Sequence, residues 1–489
     1  FTVVEAELGK EVHKRDFLVF IIAVAACLLL SWWMFNVLHV PESHPSAVAY
    51  SEMMLKKYNI VTSVNAPEAI RSQSVAMTIF FATVIGTLMF WRFRLAIALI
   101  GVFLILVTRT VGLHTLLEFM GLDVIVFLMG MFILVEHMRK TGFFMFLMVK
   151  TIKATNFRVV PLFAVVLCLA TLLAALVDEV TSILFVAAIV LEICAILRIN
   201  PVPLLILSVM TTNLGSAATV LGNPIGIYVA VRADLSFEEF IRWSAPIVGL
   251  SLAATIPLGL MWYRKDVAKA KQNIAETLST NSLTLDEWGE VKDRKKFNQA
   301  IILFIATIAI LASHRRLEEL LVLEINSLLI GAPWLTAGIL LLLERRQARD
   351  YVEKGVDWWT LAFFLFLFAK AACLEYTGVT YKLAYAIEGT AGGSEMTVMT
   401  TISVFTLMLW LTGILSGFID NLPVIAALLP VARVLSETGL PHGYSLWWAL
   451  VIGGCFGGNL TMVGSTANIV ALGLLEKQRG IYMSLRWWI

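Results

Sequence analysis

The sequence predicts an all-α, polytopic membrane protein assembled from two repeated halves with broken helices. Three observations predict it. Hydrophobic residues make up 59% of the 489 residues and charged residues only 15%, against about 45–50% and about 25% in soluble globules. Stretches apolar enough to enter a hydrocarbon core about 30 Å thick recur from Phe17 to Leu472. Two blocks rich in Gly, Asn, Ser and Thr interrupt those stretches at a fixed offset of 242 residues, measured from Asp178 to Asp420.

In chain order, the apolar runs cover 17–39, 76–91, 93–109, 123–138, 160–177, 183–197, 203–232 and 245–262, then 298–313, 326–343, 358–374, 398–418, 424–438, 446–458 and 466–475. The run at 17–39 is too long, and too far from a small-residue cleavage signal, to be a removed signal peptide, so a retained first span is expected. The polar residues 41–74 read as a loop or small cap outside the membrane. Runs 183–197 and 424–438, each preceded by an acid, are expected to be arms of re-entrant hairpins, because about 15 helical residues reach only about 22 Å. Residues 236–243 place apolar side chains three or four apart beside charges, the pattern of a helix lying in the interface plane.

Arg264, Lys265, Lys269, Lys271, Lys292, Arg294, Lys295 and Lys296 crowd the polar linker, and the positive-inside rule places it in the cytoplasm with a second basic loop at Arg345, Arg346 and Arg349. The expected organisation is 1–75 as an N-terminal span and external loop, 76–262 as a first repeat, 263–297 as the linker and 298–489 as a second repeat. The chain ends at Leu485–Ile489 where the first half leads one to expect a further helix, so a missing final segment is expected.

The repeat aligns Ile183 with Ile425, Gly215 with Gly457, Thr219 with Thr461, Gly222 with Gly464 and Ile227 with Ile469 without a gap. Upstream, Thr141-Gly142 matches Thr377-Gly378 at a slightly different offset. Interrupted hydrophobic segments at matching positions point to a solute site at the repeat interface. The physical reason is that backbone freed from a helix is tolerated at membrane depth only where protein or a cavity satisfies it. Unwound helices offer N–H groups that suit an anion and carbonyls that suit a cation. The candidate binding residues are therefore Asn213, Gly215, Ser216, Thr219, Gly222 and Asn223 in the first block, with Asn459, Thr461, Gly464, Ser465, Thr466 and Asn468 in the second. Small residues that merely allow close helix packing would explain one such block; they do not explain two in register.

Asp178, Glu179, Thr181 and Ser182, and Asp420 with Asn421, lie inside apolar sequence, where a carboxylate at mid-helix costs about 2.5–3.5 kcal/mol on insertion scales. They are expected at hairpin tips facing a cavity, in proton relay or cation binding, with local helix capping as the plainer alternative. Lys370 is a candidate coupling charge or a partner for a buried acid, whereas Glu136, His137 and Arg139 read as an interfacial pairing group. The five cysteines share no metal-ligand spacing and read as small buried hydrophobes. A net charge of +2 without a basic aromatic patch excludes nucleic acid as a partner. No His-Glu-x-x-His, nucleophile elbow or phosphate loop is found, so neither an enzyme nor a bound cofactor is expected.

At Leu176–Ser182, Asn213–Pro224, Ile419–Pro423 and Gly457–Val470 the sequence resembles the ion transporter superfamily, in the branch holding arsenite permeases, P-protein-like chains and plant silicon efflux proteins, with a citrate transporter-like domain. The likeness runs from about residue 80 to the end. It implies inverted repeats, a scaffold and a transport domain bearing two re-entrant hairpins, an elevator-like motion, and an inner-membrane location in a bacterium. Candidate partners are a small inorganic ion, membrane lipid, a second copy of the chain and a cytoplasmic ATPase subunit. Two departures stand out: Asp178-Glu179 replaces the usual Asp-Asn, and Gly222-Asn223-Pro224 replaces Gly-Asp-Pro. The expected function is H+- or Na+-coupled transport of a small inorganic anion or oxyanion of the arsenite type. A Na+/H+ antiporter is the alternative, with a carboxylate transporter or an anion channel behind it.

Overall fold

The computed structural model describes residues 14–280, 286–289, 291–390, 397–437, 440–483 and 488. Of the residues on which the expected missing final helix rests, only Trp488 is among them. The described chain is helical throughout its ordered elements. In order these are α1 (Lys14–Val37), α2 (Pro45–Tyr58), α3 (Pro67–Met89), α4 (Arg94–Val107), α5 (Leu113–Glu118), α6 (Leu122–Lys140), α7 (Phe143–Lys153), α8 (Val159–Leu176), α9 (Glu179–Ile196), α10 (Pro201–Gly215) and α11 (Pro224–Ala233). Then come α12 (Phe237–Trp262), α13 (Arg264–Thr280), α14 (Arg294–Leu321), α15 (Ser327–Leu343), α16 (Ala348–Glu353), α17 (Trp358–Tyr376), α18 (Val379–Thr390), α19 (Val398–Phe418), α20 (Asn421–Glu437), α21 (Ser445–Gly457) and α22 (Thr466–Arg479).

Among the described residues, nine helices are long and apolar enough to cross a membrane, and together with four shorter apolar ones they make the chain a polytopic all-α membrane protein. Their outward faces carry large apolar side chains such as Leu29, Leu250 and Trp410, as contact with hydrocarbon requires. The run at 203–232 is broken: α10 stops at Gly215, and α11 resumes only at Pro224. One reading needs correcting. Residues 236–243 are no separate interfacial helix; they form the first turns of α12, opened by a Ser236–Glu239 capping box and wound as a π-helix over Phe240–Ser244. Within the linker, residues 264–280 are helical, as α13.

The duplication is visible in the helix ends. At the offset of 242, the last residues of α8 and α19 coincide (Leu176, Phe418), as do the first of α9 and α20 (Glu179, Asn421), the last of α10 and α21 (Gly215, Gly457) and the first of α11 and α22 (Pro224, Thr466). Asn223 and Ser465, paired by the same offset, are both extended N-caps whose side chains accept from Gly226 N and Ala467 N. Upstream, α6 and α17 coincide end to end at an offset of 236, and each is followed by a left-handed glycine, Gly142 (φ 80°) and Gly378 (φ 89°). A duplicated chain keeps its breaks at the same places because the same residue types cannot continue the helix there.

The chain divides into two compact units. Of the described residues, one comprises those within 126–357 and from 455 onward, the other those up to 125 and within 358–454. Each unit therefore draws on both halves of the sequence. In the first, α8 and α9 form a helical hairpin, α10 packs against α8 and α9, and α22 packs against α9 and α10. In the second, α17 packs on α4 and on α20, and α19 and α20 form the matching hairpin.

Candidate functional site

The first unit brings both helix breaks together. Residues 216–223 separate α10 from α11, and residues 458–465 separate α21 from α22. Three asparagines join them. Asn213 Nδ2 donates to Asn459 Oδ1 at 2.7 Å and to Asn468 Oδ1 at 2.9 Å. Asn468 Nδ2 donates to the carbonyls of Gly458 (2.7 Å) and Thr461 (2.8 Å), and Asn459 Nδ2 to that of Met210 (3.2 Å). Carbonyls only accept, so Asn459 and Asn468 must turn their NH2 groups towards them and their oxygens towards Asn213. The amide of Asn213 is thereby fixed with its NH2 inward. Its Oδ1, fully buried, has no hydrogen-bond partner among the described residues.

A second strand of the network runs through Asn223. Its Oδ1 caps α11 by accepting from Gly226 N at 2.9 Å, and its Nδ2 donates to Ser216 Oγ (3.1 Å) and Cys455 Sγ (3.0 Å). Ser216 Oγ in turn donates to Asn213 O at 2.9 Å. Thr219 Oγ1 reaches the carbonyl of Ala175 near the end of α8, and accepts from Leu221 N at 3.0 Å. Ser465 caps α22 and lies 3.5 Å from Glu179 Oε1. Thr461 accepts from Val463 N at 3.3 Å, the amide of Gly464 donates to Thr461 O at 3.2 Å, and Thr466 opens α22.

Two glycines let these backbones meet. A Cβ on Gly215 would strike the carbonyl oxygen of Thr171, and one on Gly222 would strike that of Ser216. Thr171 Oγ1 completes the α8–α10 contact by donating to Thr211 O at 3.1 Å.

At the α8–α9 tip, Asp178 is the N-cap of α9, its Oδ1 accepting from Thr181 N at 2.8 Å. Its Oδ2, together with Ser182 Oγ and Thr212 Oγ1, is buried and has no hydrogen-bond partner among the described residues. The tip thus joins local capping to spare acceptor oxygens. Four residues missed in the sequence belong here: Thr171, the carbonyl of Met210, Cys455 and Trp488, whose Nε1 donates to Asn459 O at 3.0 Å. A polar Thr in the apolar α8 was the available signal; nothing local marked the other three. The cysteines are not uniformly buried, since Cys168 is exposed and Cys27 half-buried.

Asp420, Asn421 and Lys370 belong to the second unit. Asp420 Oδ1 accepts from Asn421 N at 3.1 Å, and Ser416 Oγ lies within hydrogen-bond reach of Asn421 Oδ1 and of Gly454 O. Lys370 is 1% exposed, and its Nζ donates to Ala98 O at 3.2 Å, in space left by Gly101. Lys370→Met should keep the packing and remove the cost of burying a charge, so thermal unfolding in detergent should show equal or higher stability, by about 1 kcal/mol or more. A lowered Tm would assign the ammonium to holding α17 on α4. In the first unit, Glu136 pairs bidentately with Arg139 (2.6 and 2.7 Å), and His137 Nδ1 lies 3.0 Å from Tyr351 Oη.

Broken apolar helices joined by an amide network, in a chain with nine candidate spans among its described residues, define a polytopic membrane transporter. The chain belongs to the citrate transporter family of the ion transporter superfamily, whose model matches residues 84–453. An uncharacterised transporter of Mycobacterium tuberculosis is 33% identical over 357 residues, 73% of this chain and 78% of that protein. A 46 kDa membrane protein of Mycobacterium leprae is 34% identical over 358 residues, 72% and 77% of the two chains. The P protein of Homo sapiens is 26% identical over 429 residues, 75% of this chain but only 51% of its own length. The protein is a secondary transporter integral to the membrane, and its mycobacterial relatives agree with a bacterial inner membrane.

Proposed function

We propose that the chain moves a small hydroxylated inorganic solute, of the arsenite or antimonite type, with H+ or Na+ as coupling ion and by alternating access of an elevator kind. The carrying observation is the forced orientation of Asn213. Its buried oxygen is presented as a free acceptor, while the groups bonded around it are amides, hydroxyls, carbonyls and a thiol. An acceptor suits a solute that brings O–H donors, as a protonated oxyacid does at neutral pH. Among the described residues, the side chains of Asn213, Asn223, Asn459 and Asn468 bond to no Arg or Lys, so these amides offer no fixed guanidinium clamp of the sort that grips carboxylates. That favours the oxyacid over citrate, the solute in the family's description.

A cation antiporter is the second reading. The unpartnered Oδ2 of Asp178 and Oγ of Ser182 favour it, because hard cations take oxygen ligands.

Counterflow in proteoliposomes with an internal pH dye separates these readings. Uptake of arsenite or antimonite with proton movement supports the first. A dye response to sodium alone replaces it with the antiporter, and citrate exchange with neither sinks both.

A further inference from the structure

The linker helix builds a second site in the first unit. In α13, Ala270 and Ile274 are buried one turn apart, whereas Arg264, Lys265, Lys269 and Lys271 stay exposed. Two bonds fasten the helix to the α9–α10 connection: Asn273 Nδ2 donates to Arg198 O at 2.7 Å, and Asn200 Nδ2 donates to Asp266 Oδ1 at 3.1 Å. Between α13, the start of α8 and the end of α12 lies a groove of about 810 Å³, within the range of about 300–1,000 Å³ common to ligand sites. Three exposed cations line it, Arg158, Arg264 and Lys271, and so do the apolar Val160, Leu260 and Met261; no carboxylate is among its lining residues.

We propose that this groove binds an anionic phospholipid, its phosphate held by Arg158, Arg264 and Lys271 and an acyl chain lying along Val160, Leu260 and Met261. The chemistry calls for both halves of such a molecule. Guanidinium groups match phosphate oxygens in bidentate fashion. A soluble phosphate would leave the apolar lining without a partner. That lining also continues onto the outward surface of spanning helices, where Val160 is 52% and Met261 69% exposed. The groove sits where two such helices end, α8 beginning at Val159 and α12 closing at Trp262. The first turn of α8 has no side-chain cap, which adds free amide donors of the right polarity. Basic pockets of this kind on the cytoplasmic side face the anionic leaflet. This inference is independent of which solute is carried.

The test measures lipid retention by native mass spectrometry and Tm in neutral detergent on the full chain. The additives are phosphatidylglycerol, phosphatidylcholine and glycerol 3-phosphate. Phosphatidylglycerol should be retained and raise Tm, with the other two giving little. Arg158→Gln/Arg264→Gln/Lys271→Gln should weaken phosphatidylglycerol binding on the order of a hundredfold, and Lys271→Gln alone about fivefold. Should the triple variant not fold, Lys271→Gln on the exposed face of α13 decides. Equal stabilisation by phosphatidylcholine, or unchanged binding in Lys271→Gln, overturns the proposal. Stabilisation by glycerol 3-phosphate equal to that by the lipid overturns it as well, in favour of a soluble anion.

Discussion

Asn213→Ala should reduce counterflow to background while leaving protein in the membrane. The substitution removes one NH2 group that serves two acceptors, the half-buried Asn459 Oδ1 and the buried Asn468 Oδ1. Neither can turn to another donor without abandoning the carbonyls of Met210, Gly458 and Thr461. An orphaned buried acceptor such as Asn468 Oδ1 costs about 1–3 kcal/mol, and losing both bonds disconnects the two breaks proposed to carry the solute. Asn213→Asp should do no better, because it sets carboxylate oxygens against two amide oxygens. The measurement is arsenite or antimonite counterflow beside a thermal unfolding curve. Wild-type flux in both variants would remove the amide network from the transport path.

Gly215→Ala should fail at an earlier stage, in folding. The added carbon would sit 2.7 Å from Thr171 Cα and 2.8 Å from its carbonyl carbon, besides striking the oxygen. These are backbone atoms, so no rotamer relieves the clash, and α8 and α10 must separate. Overpacking of side chains costs about 1–3 kcal/mol; a backbone collision should exceed that, giving a Tm lowered by many degrees or no recoverable protein. Gly331→Ala is the control. A Cβ there meets nothing within 4 Å, and a helical Gly→Ala exchange gains about 0.5–1 kcal/mol, so the two alanines should shift Tm in opposite directions. A Gly215→Ala protein as stable as the control would show that the two helices do not approach this closely.

Much of the fold could be read without coordinates because its causes are local. Hydrophobic length predicts the spans, and the residues that end one helix and cap the next recur in register, from Leu176 and Glu179 to Phe418 and Asn421. The candidate site residues were picked out for a similarly local reason, polar runs where apolar sequence should continue. The errors also have local causes. The charges of 263–297 mark a polar linker but do not show the buried face that Ala270 and Ile274 give its helix. Cys455 reads as a small hydrophobe until Asn223 is found beside it.

The sequence by itself determined the membrane class, the duplication, the positions of the breaks and the residue types that fill them. These follow from hydropathy, from helix capping and from the inability of Gly-, Asn- and Ser-rich backbone to stay helical. Tertiary structure alone decided which of those residues meet. It brought Asn213, Asn459 and Asn468 into one unit and left Asp420 and Lys370 in the other. It also oriented the Asn213 amide and packed α13 against α8. The physical reason is that partners more than 240 residues apart in sequence, as Asn213 and Asn459 are, are chosen by helix packing and by the need to satisfy every buried donor, and neither constraint is written in any local pattern.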